Sequence, residues 1–290
     1  MKVCNGLDRS ISIEISKECI ACGACVEVCP MGALSFELGQ SSSRLPIVVD
    51  PSICLKCGQC IAICPKDAIF HSHFRISDFP LIGEKAQVQW NQFIARTRQR
   101  RSIRNFSSRP VPNEIVMKIL EESSRYAPTG HNRQAVEVVL LTGDRLTAVR
   151  DEMNALITRL QKILVGIYWI SAQMELQWRN MRAFKREIEL GMDPSTRKAP
   201  LAMLFITDNR AKENETDAAI ISYQTLLSAE ILGLKTCYFG AIVNALPFSR
   251  KLKRILQLPR HRIVVTGLLL GYAQSKFRRL VSREHLKVLN

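Results

Sequence analysis

The sequence lacks an apolar run of the length needed to cross a membrane. Its longest candidate, ILVGIYWISAQM over 163–174, is well below the roughly 20 apolar residues that a spanning helix requires. The first residues, MKVCNGLDRSISIE, lack the apolar core of a secretory signal peptide. We therefore expect a cytoplasmic protein with no membrane partner. In that reducing compartment, clustered cysteines are metal ligands more often than disulfides.

Acidic residues are scarce in most of the chain. The 290 residues include 41 Lys and Arg but 26 Asp and Glu, which gives a formal net charge of +15. Residues 1–75 contain seven of each sign, so the whole excess lies in the later residues and is densest in RTRQRRSIR at 96–104. Basic patches attract phosphates, but these runs lack interleaved aromatic residues, and no helix-turn-helix or zinc-finger spacing is present. We expect no nucleic-acid partner, although a nucleic-acid-binding protein stays an alternative.

Cysteine is absent from long stretches because eight of the ten cysteines lie in two copies of one pattern. The pattern C-x2-C-x2-C-x3-C-P occurs at 19–30 and again at 54–65. Eight thiolates suit two 4Fe–4S clusters, in which three cysteines of one copy join the Cys-Pro cysteine of the other copy. The predicted ligand sets are Cys19, Cys22, Cys25 and Cys64, and Cys54, Cys57, Cys60 and Cys29. Zinc is the alternative metal, but it requires neither the third cysteine nor the trailing Cys-Pro.

This doubled pattern resembles a bacterial two-cluster ferredoxin over roughly residues 10–75. The resemblance implies a compact module with short strands at 11–15 and 46–50, in which each cluster carries one electron at a time. We place the ferredoxin domain at 1–75 and a linker at 76–92, because the residues that follow the module show no regular period. His71 and His73 follow the second copy within ten residues, but eight cysteines already complete two clusters, so we expect no histidine ligand.

A second group of motifs follows the linker in a defined order. Helical spacing of apolar residues begins at Trp90. The sequence motifs and predicted elements that follow are, in order, RRSIRNF (100–106), a helix (115–127), APTGHNRQ (127–134), a strand (135–142), a helix (216–233), GLKTCYFG (233–240), a strand (262–273) and KFRR (276–279). This order resembles the FMN-dependent nitroreductase family over roughly 93–290. We therefore assign 93–290 to an FMN-binding, nitroreductase-like domain.

The resemblance also implies which residues hold the flavin. FMN has a phosphate group, which suits the planar, permanently charged guanidinium groups of arginine. No catalytic side chain is implied, since backbone amides near Gly240 meet the reactive N5 edge of the ring. The implied cofactor-binding residues are Arg100, Arg101, Ser102 and Arg104 at the phosphate, ribityl chain and pyrimidine edge, Thr129, Asn132 and Gln134 along the ring or ribityl chain, and either Arg279 or Arg283 at the phosphate.

Together the two resemblances predict an α+β protein, with a small two-cluster ferredoxin domain before a domain whose central sheet is flanked by helices. Its expected function is FMN-dependent reduction of a small organic acceptor, such as a nitroaromatic or a quinone, with electrons relayed through the clusters. The family implies a homodimer and a substrate lid within 145–198. The donor is left open between NAD(P)H and an external ferredoxin or flavodoxin. The alternative is an electron-transfer or redox-sensing protein that forms no small-molecule product.

Overall fold

The chain divides into two compact units. Met1–Gln87 and His131–Arg133 make up the first unit, and Val88–Gly130 and Gln134–Asn290 make up the second. The break at 87/88 falls inside the predicted linker. The computed structural model describes residues 11–36, 45–83, 88–164, 183–208, 210, 213–259 and 261–289. Among these residues, no helix combines the length and the apolar character that a membrane crossing demands.

The first unit consists of two similar halves. β1 pairs antiparallel with β4, and β2 pairs antiparallel with β3. Each half has a short helix that follows a glycine in the left-handed region, Gly23 with φ 78° and Gly58 with φ 72°. The elements are β1 (Ile13–Ile15), α1 (Ala24–Glu27), β2 (Leu34–Ser35), β3 (Ile47–Val48), α2 (Gln59–Ile63) and β4 (Ile69–His71).

Gly58 shows why a glycine precedes the second helix. Besides its positive φ, a Cβ atom at this position would lie 2.7 Å from the ring of Phe79. Phe79 in turn packs edge-on against Phe74, with ring centroids 5.4 Å apart. A side chain at position 58 would therefore strain the backbone and displace this aromatic pair.

The second unit is built on a four-stranded antiparallel sheet with strand order β5-β6-β8-β7. Seven of the eight residues of β6 are buried, as expected for a strand that is covered on both faces. The predicted strand at 135–142 is Glu137–Thr142, and the one at 262–273 is Arg262–Gly271. The strands are β5 (Glu137–Thr142), β6 (Leu201–Asp208), β7 (Lys235–Tyr238) and β8 (Arg262–Gly271).

Helices cover both faces of this sheet. Side chains of β6 alternate between the faces, so Ala202 and Leu204 lie in one core cluster while Met203 and Phe205 lie in the other. The α+β fold with a central sheet between helices is thus confirmed. The helices are α3 (Trp90–Gln99), α4 (Asn113–Glu122), α5 (Gly143–Leu164), α6 (Glu213–Ile231), α7 (Gly240–Ala245) and α8 (Arg250–Leu256), and residues 183–189 are also helical.

The predicted lid segment, 145–198, is described in part. It begins within α5, whose Val149 and Met153 are buried in the core. Residues 165–182, which include most of the segment's aromatic side chains, lie outside the described residues. Toward its end, the carboxylate of Asp193 accepts hydrogen bonds from the backbone N–H groups of Ser195, Thr196 and Lys198 at 2.9–3.1 Å. This turn fixes the path of the chain into β6.

Candidate functional site

The first cavity of interest lies in the first unit and is lined by four cysteines. Three come from one copy of the repeated pattern, and Cys64 comes from the other copy. Gly23 and Pro65 also line this cavity. The four cysteines, Cys19, Cys22, Cys25 and Cys64, are the members of one predicted ligand set.

A second cavity repeats this arrangement with the two copies exchanged. Cys29 of the first copy joins three cysteines of the second, and Gly58 and His71 lie in the same wall. The set is Cys29, Cys54, Cys57 and Cys60, the other predicted ligand set. Among the described residues, no three His, Cys, Asp or Glu side chains are grouped as a single metal ion requires. Each set instead surrounds a cavity.

Backbone amides surround the sulfur atoms of both sets. The N–H groups of Ala21 and Lys56 donate to the sulfurs of Cys19 and Cys54, each at 3.4 Å. Residues 21 and 56 adopt positive φ values of 56° and 52°, which turn these amides toward the sulfurs. N–H donors of this kind stabilise negative charge on a cysteine sulfur.

Burial makes three of these cysteines poor thiolates by themselves. Desolvation raises the pKa of Cys25, Cys54 and Cys60, and for Cys60 it raises the pKa to about 11. The neighbouring cysteines of each set raise the pKa further, because several negative charges would be brought together. Bound iron supplies the positive charge that deprotonates such thiols. The cysteine sets therefore fit a cationic cluster in their chemistry as well as in their grouping.

The arginine-rich segment of the second unit lies beside β7. Ser102 pairs with Thr236 in an isolated parallel bridge, and the N–H of Ile103 donates to the carbonyl of Thr236 at 2.9 Å. The guanidinium of Arg101 donates to the carbonyls of Arg98 and Arg100 at 2.6 and 2.7 Å. Its Nε atom is buried and has no hydrogen-bond partner among the described residues. A buried, unpaired guanidinium N–H is the kind of donor that an anionic group satisfies.

The turn at 129–134 is shaped by polar contacts. The Thr129 hydroxyl accepts a hydrogen bond from the N–H of Gln134 at 3.2 Å. His131, Asn132 and Gln134 all have positive φ values, which are uncommon outside glycine. Asn132 belongs to the first unit, and its side-chain amide donates to two backbone carbonyls there, at positions 55 and 56, at 3.1 and 2.8 Å. The flavin contacts expected of these side chains stay predictions.

The remaining predicted positions differ in their surroundings. Cys237 is buried, and the N–H of Phe239 donates to the carbonyl of Gly267 at 2.7 Å, which fixes the chain just before Gly240 at the start of α7. Arg279 and Arg283 are exposed in a C-terminal segment without regular structure. Neither makes a hydrogen bond or an ion pair with another described residue. A phosphate contact by one of these two arginines stays a prediction.

Comparison with known proteins identifies both parts of the chain. Residues 97–272 match the model of the nitroreductase family. The chain belongs to the nitroreductase family. Residues 18–68 match the model of the 4Fe–4S dicluster domain, so a 4Fe–4S dicluster domain precedes the nitroreductase-family domain.

Individual relatives agree with this membership. A 4-nitrobenzoate reductase from Nocardioides sp. (strain LMS-CY) is 25% identical over 209 residues, which are 63% of this chain and 81% of that protein. A nitroreductase with bound FMN from Bacteroides fragilis NCTC 9343 is similar in structure, with a TM-score of 0.54, 16% identity, and coverage of 69% of this chain and all of that one. A second nitroreductase with bound FMN, from Desulfitobacterium hafniense DCB-2, has the same TM-score and coverage at 19% identity. The structural similarity supports the shared fold.

The structure adds residues to this nitroreductase-family domain that the sequence motifs do not contain. Asp217 of α6 accepts a hydrogen bond from the N–H of Gly130 at 2.9 Å, and its second carboxylate oxygen is buried with no hydrogen-bond partner in the described part of the chain. Arg197 forms an ion pair with Glu187 at 2.7 Å. Burial raises the pKa of the Cys237 thiol, and the guanidinium groups of Arg104, Arg197 and Arg100 partly oppose this effect. Arg197 is therefore a third arginine whose charge acts at Cys237, although it lies outside every motif.

Proposed function

We propose that this nitroreductase-family protein is an FMN-dependent oxidoreductase that reduces a small organic acceptor, such as a nitroaromatic or a quinone. In this proposal the electrons reach the flavin through two 4Fe–4S clusters. One observation carries the proposal: the two cavities of the first unit are each lined by three cysteines of one pattern and the Cys-Pro cysteine of the other. Such a pair of sites has a clear role in a chain whose other domain belongs to an oxidoreductase family.

The first unit would hold the clusters through its eight cysteines. Most of these cysteines are half-buried, and backbone N–H groups point at several of the sulfurs. Iron–sulfur clusters, when bound, carry electrons singly, at potentials that depend on hydrogen bonds and solvent exposure. The residues of this unit therefore determine both the retention and the potential of each cluster.

The second unit would hold FMN through its arginine-rich segment. Arg101 offers a buried Nε–H that no other described residue pairs with, and Arg100 and Arg104 place positive charge near Cys237. The hydrogen bond from Ile103 to Thr236 anchors this segment to β7. Ser102, Thr129, Asn132, Gln134, backbone atoms near Gly240, and either Arg279 or Arg283 complete the proposed site. The two FMN-bound structural relatives and the related 4-nitrobenzoate reductase support this cofactor and this class of acceptor.

FMN, when bound, accepts electrons one at a time and passes them in pairs to an organic acceptor. The protein's contribution is to bind and orient the flavin and to shield it from water. We assign no acid–base side chain to this reaction. The Cys237 thiol is kept protonated by burial, so it is not a nucleophile in this proposal. A homodimer and an external reduced ferredoxin or flavodoxin, with NAD(P)H as the alternative donor, complete the proposed function.

The decisive experiment starts with anaerobic purification of the full chain and quantification of iron, sulfide, zinc and FMN. We expect two 4Fe–4S clusters and one FMN per chain. Reduction of 4-nitrobenzoate or a quinone is then followed with reduced ferredoxin, reduced flavodoxin, NADH or NADPH as donor. Steady turnover with one donor supports an enzyme, whereas flavin reduction without any product supports the electron-transfer alternative.

A cysteine variant tests the relay itself. Cys57→Ser should lower ferredoxin-driven turnover at least about tenfold, while FMN that is reduced directly by dithionite still reduces the acceptor. Cys4→Ser, which changes a cysteine outside the two sets, is the matched control and should leave both rates unchanged. Equal ferredoxin-driven rates in Cys57→Ser and wild type would show that the clusters are not on the electron path.

A further inference from the structure

A buried histidine lies beside one of the cysteine sets. His71 ends β4 and is 2% exposed. Its Nε2 atom is 3.4 Å from the sulfur of Cys54, within hydrogen-bonding distance for sulfur. His71 is not needed as a ligand, because four cysteines already line this cavity.

The hydrogen bond at the second ring nitrogen of His71, Nδ1, determines which nitrogen carries the proton. The backbone N–H of His73 donates to Nδ1 of His71 at 3.1 Å, so Nδ1 is an acceptor. A neutral imidazole has a single N–H, which must then be on Nε2. Nε2–H is therefore the donor, and the Cys54 sulfur is the acceptor.

The two cysteine sets accept equivalent hydrogen bonds from the backbone. In the first copy, Ala33 donates to Cys29 at 3.3 Å, and at the equivalent place in the second copy Ala68 donates to Cys64 at 3.2 Å. The amides of residues 21 and 56 are matched in the same way at 3.4 Å. These hydrogen bonds stabilise charge on both clusters by similar amounts and cannot make their potentials differ.

The side chains break this symmetry. The position equivalent to His71 in the first copy is Phe36, whose ring has no hydrogen-bond donor. That ring instead packs at the helix start, where a Cβ on Gly23 would lie 3.3 Å from it. Lys56 adds positive charge near Cys54, and its equivalent is the uncharged Ala21. Both differences place additional positive potential at the set that contains Cys54.

We infer that the hydrogen bond from His71 to Cys54 raises the reduction potential of the cluster held by that cysteine set above the potential of the other cluster. The physical reason is that a reduced cluster carries one more negative charge than an oxidised one, so a donor at its sulfur stabilises the reduced form more. A single electron then resides mainly on the cluster bound by Cys29, Cys54, Cys57 and Cys60. His71 acts through Cys54 and is a positioning residue, and this inference rests on the clusters of the proposed function.

The test is a redox titration of the full-length protein, followed by electron paramagnetic resonance under anaerobic conditions. His71→Phe copies the side chain of the equivalent position. It should lower the reduction potential of one cluster only. The expected change is about a tenfold lower ratio of reduced to oxidised cluster at a given solution potential, which corresponds to a shift of about 59 mV for one electron. His71→Gln keeps an N–H donor, so its cluster should have a reduction potential between those of His71→Phe and wild type. His73→Phe keeps the backbone donor to His71 and is the matched control, for which both potentials should be unchanged.

A second measurement on the wild-type protein does not depend on the variants. With histidine labelled by nitrogen-15, pulsed electron paramagnetic resonance should detect one imidazole nitrogen coupled to one cluster and none coupled to the other. Unchanged potentials in His71→Phe, equal shifts of both clusters, or the absence of any imidazole coupling would overturn the inference. Absence of iron from the purified protein would instead contradict the proposed function, so the two failures are distinguishable.

Discussion

The carboxylate of Asp217 in α6 accepts a hydrogen bond from the backbone N–H of Gly130, 87 positions earlier in the chain, at 2.9 Å. Asp217 is buried, so its replacement by alanine leaves that N–H without a protein partner. We expect Asp217→Ala to cost about 1.5–3 kcal/mol and to lower the melting temperature of the nitroreductase-family domain by on the order of 5 °C.

Differential scanning calorimetry of the anaerobic protein measures this shift. Asp217→Asn is the conservative control, because the amide oxygen still accepts from Gly130, and its melting temperature should stay near that of wild type. An equal loss in both variants would show that the charge of Asp217, and not its hydrogen bond, stabilises the domain.

Arg101 provides the prediction for the flavin site. Its Nε–H is buried without a partner among the described residues, and a phosphate oxygen would satisfy it. Loss of a charge-assisted hydrogen bond costs about 1.5–3 kcal/mol, so Arg101→Ala should weaken FMN binding roughly tenfold to a hundredfold. Arg98→Ala removes the same charge from an exposed position on α3 and should have little effect. Fluorescence of released FMN during dilution gives both affinities, and equal affinities for the two variants would contradict the proposed phosphate site.

The exchange of the fourth cysteine between the two patterns predicts reciprocal cluster losses. Cys64→Ala should damage the cluster of Cys19, Cys22 and Cys25, whereas Cys29→Ala should damage the other. Iron content and electron paramagnetic resonance spectra of the reduced variants distinguish the two outcomes. Loss of the same cluster signal in both variants would mean that the ligand sets are not crossed.

Glu152 provides a pH-dependent prediction. This carboxylate is 4% exposed and accepts hydrogen bonds from Ser249 at 2.8 Å and from Arg159 at 2.5 Å, with Lys251 at 3.4 Å. Burial alone would raise its pKa, but these three partners outweigh burial and lower the pKa below its ordinary value of 4.5. Since the folded-state pKa is depressed, the stabilisation is complete above the unfolded pKa and is lost as the pH falls through the folded value.

The corresponding variant is Glu152→Gln. At pH 7 it should destabilise the domain by about 1–2 kcal/mol, a value kept low because Arg159 and Lys251 are largely exposed to solvent. The difference in melting temperature between the two proteins should be constant from pH 7 down to the ordinary pKa of 4.5 and should shrink as the pH falls further. A difference that stays constant well below pH 4.5 would show that the effect is one of packing.

Local patterns of the sequence predicted much of the fold. The two cysteine patterns and their trailing Cys-Pro predicted the two sets of four cysteines that line the cavities of the first unit. The apolar run 262–273 is typical of a strand covered on both faces, and six of the ten residues of Arg262–Gly271 are buried. The helix predicted at 216–233 is Glu213–Ile231, and the difference of a few residues reflects weak end signals.

Contacts between distant residues could not be predicted in this way. The approach of His71 to Cys54 depends on the pairing of β4 with β1, which no local pattern encodes. Asp217 is one of many polar residues in α6, and only the folded chain shows that it faces Gly130. Arg197 acts at Cys237 from a turn that Asp193 organises by accepting hydrogen bonds from three backbone N–H groups. In each case the partner is determined by tertiary packing.

With the proposed ligand sets, the crossing also determines the order in which the two sites can be completed during synthesis. Had each pattern supplied all four of its own ligands, the first site would be ready once Cys29 had left the ribosome. With the crossing, one set is complete only at Cys60 and the other only at Cys64, so both sites become available within a few residues of each other. A nascent chain that stops between the two patterns would then have no complete site for either cluster.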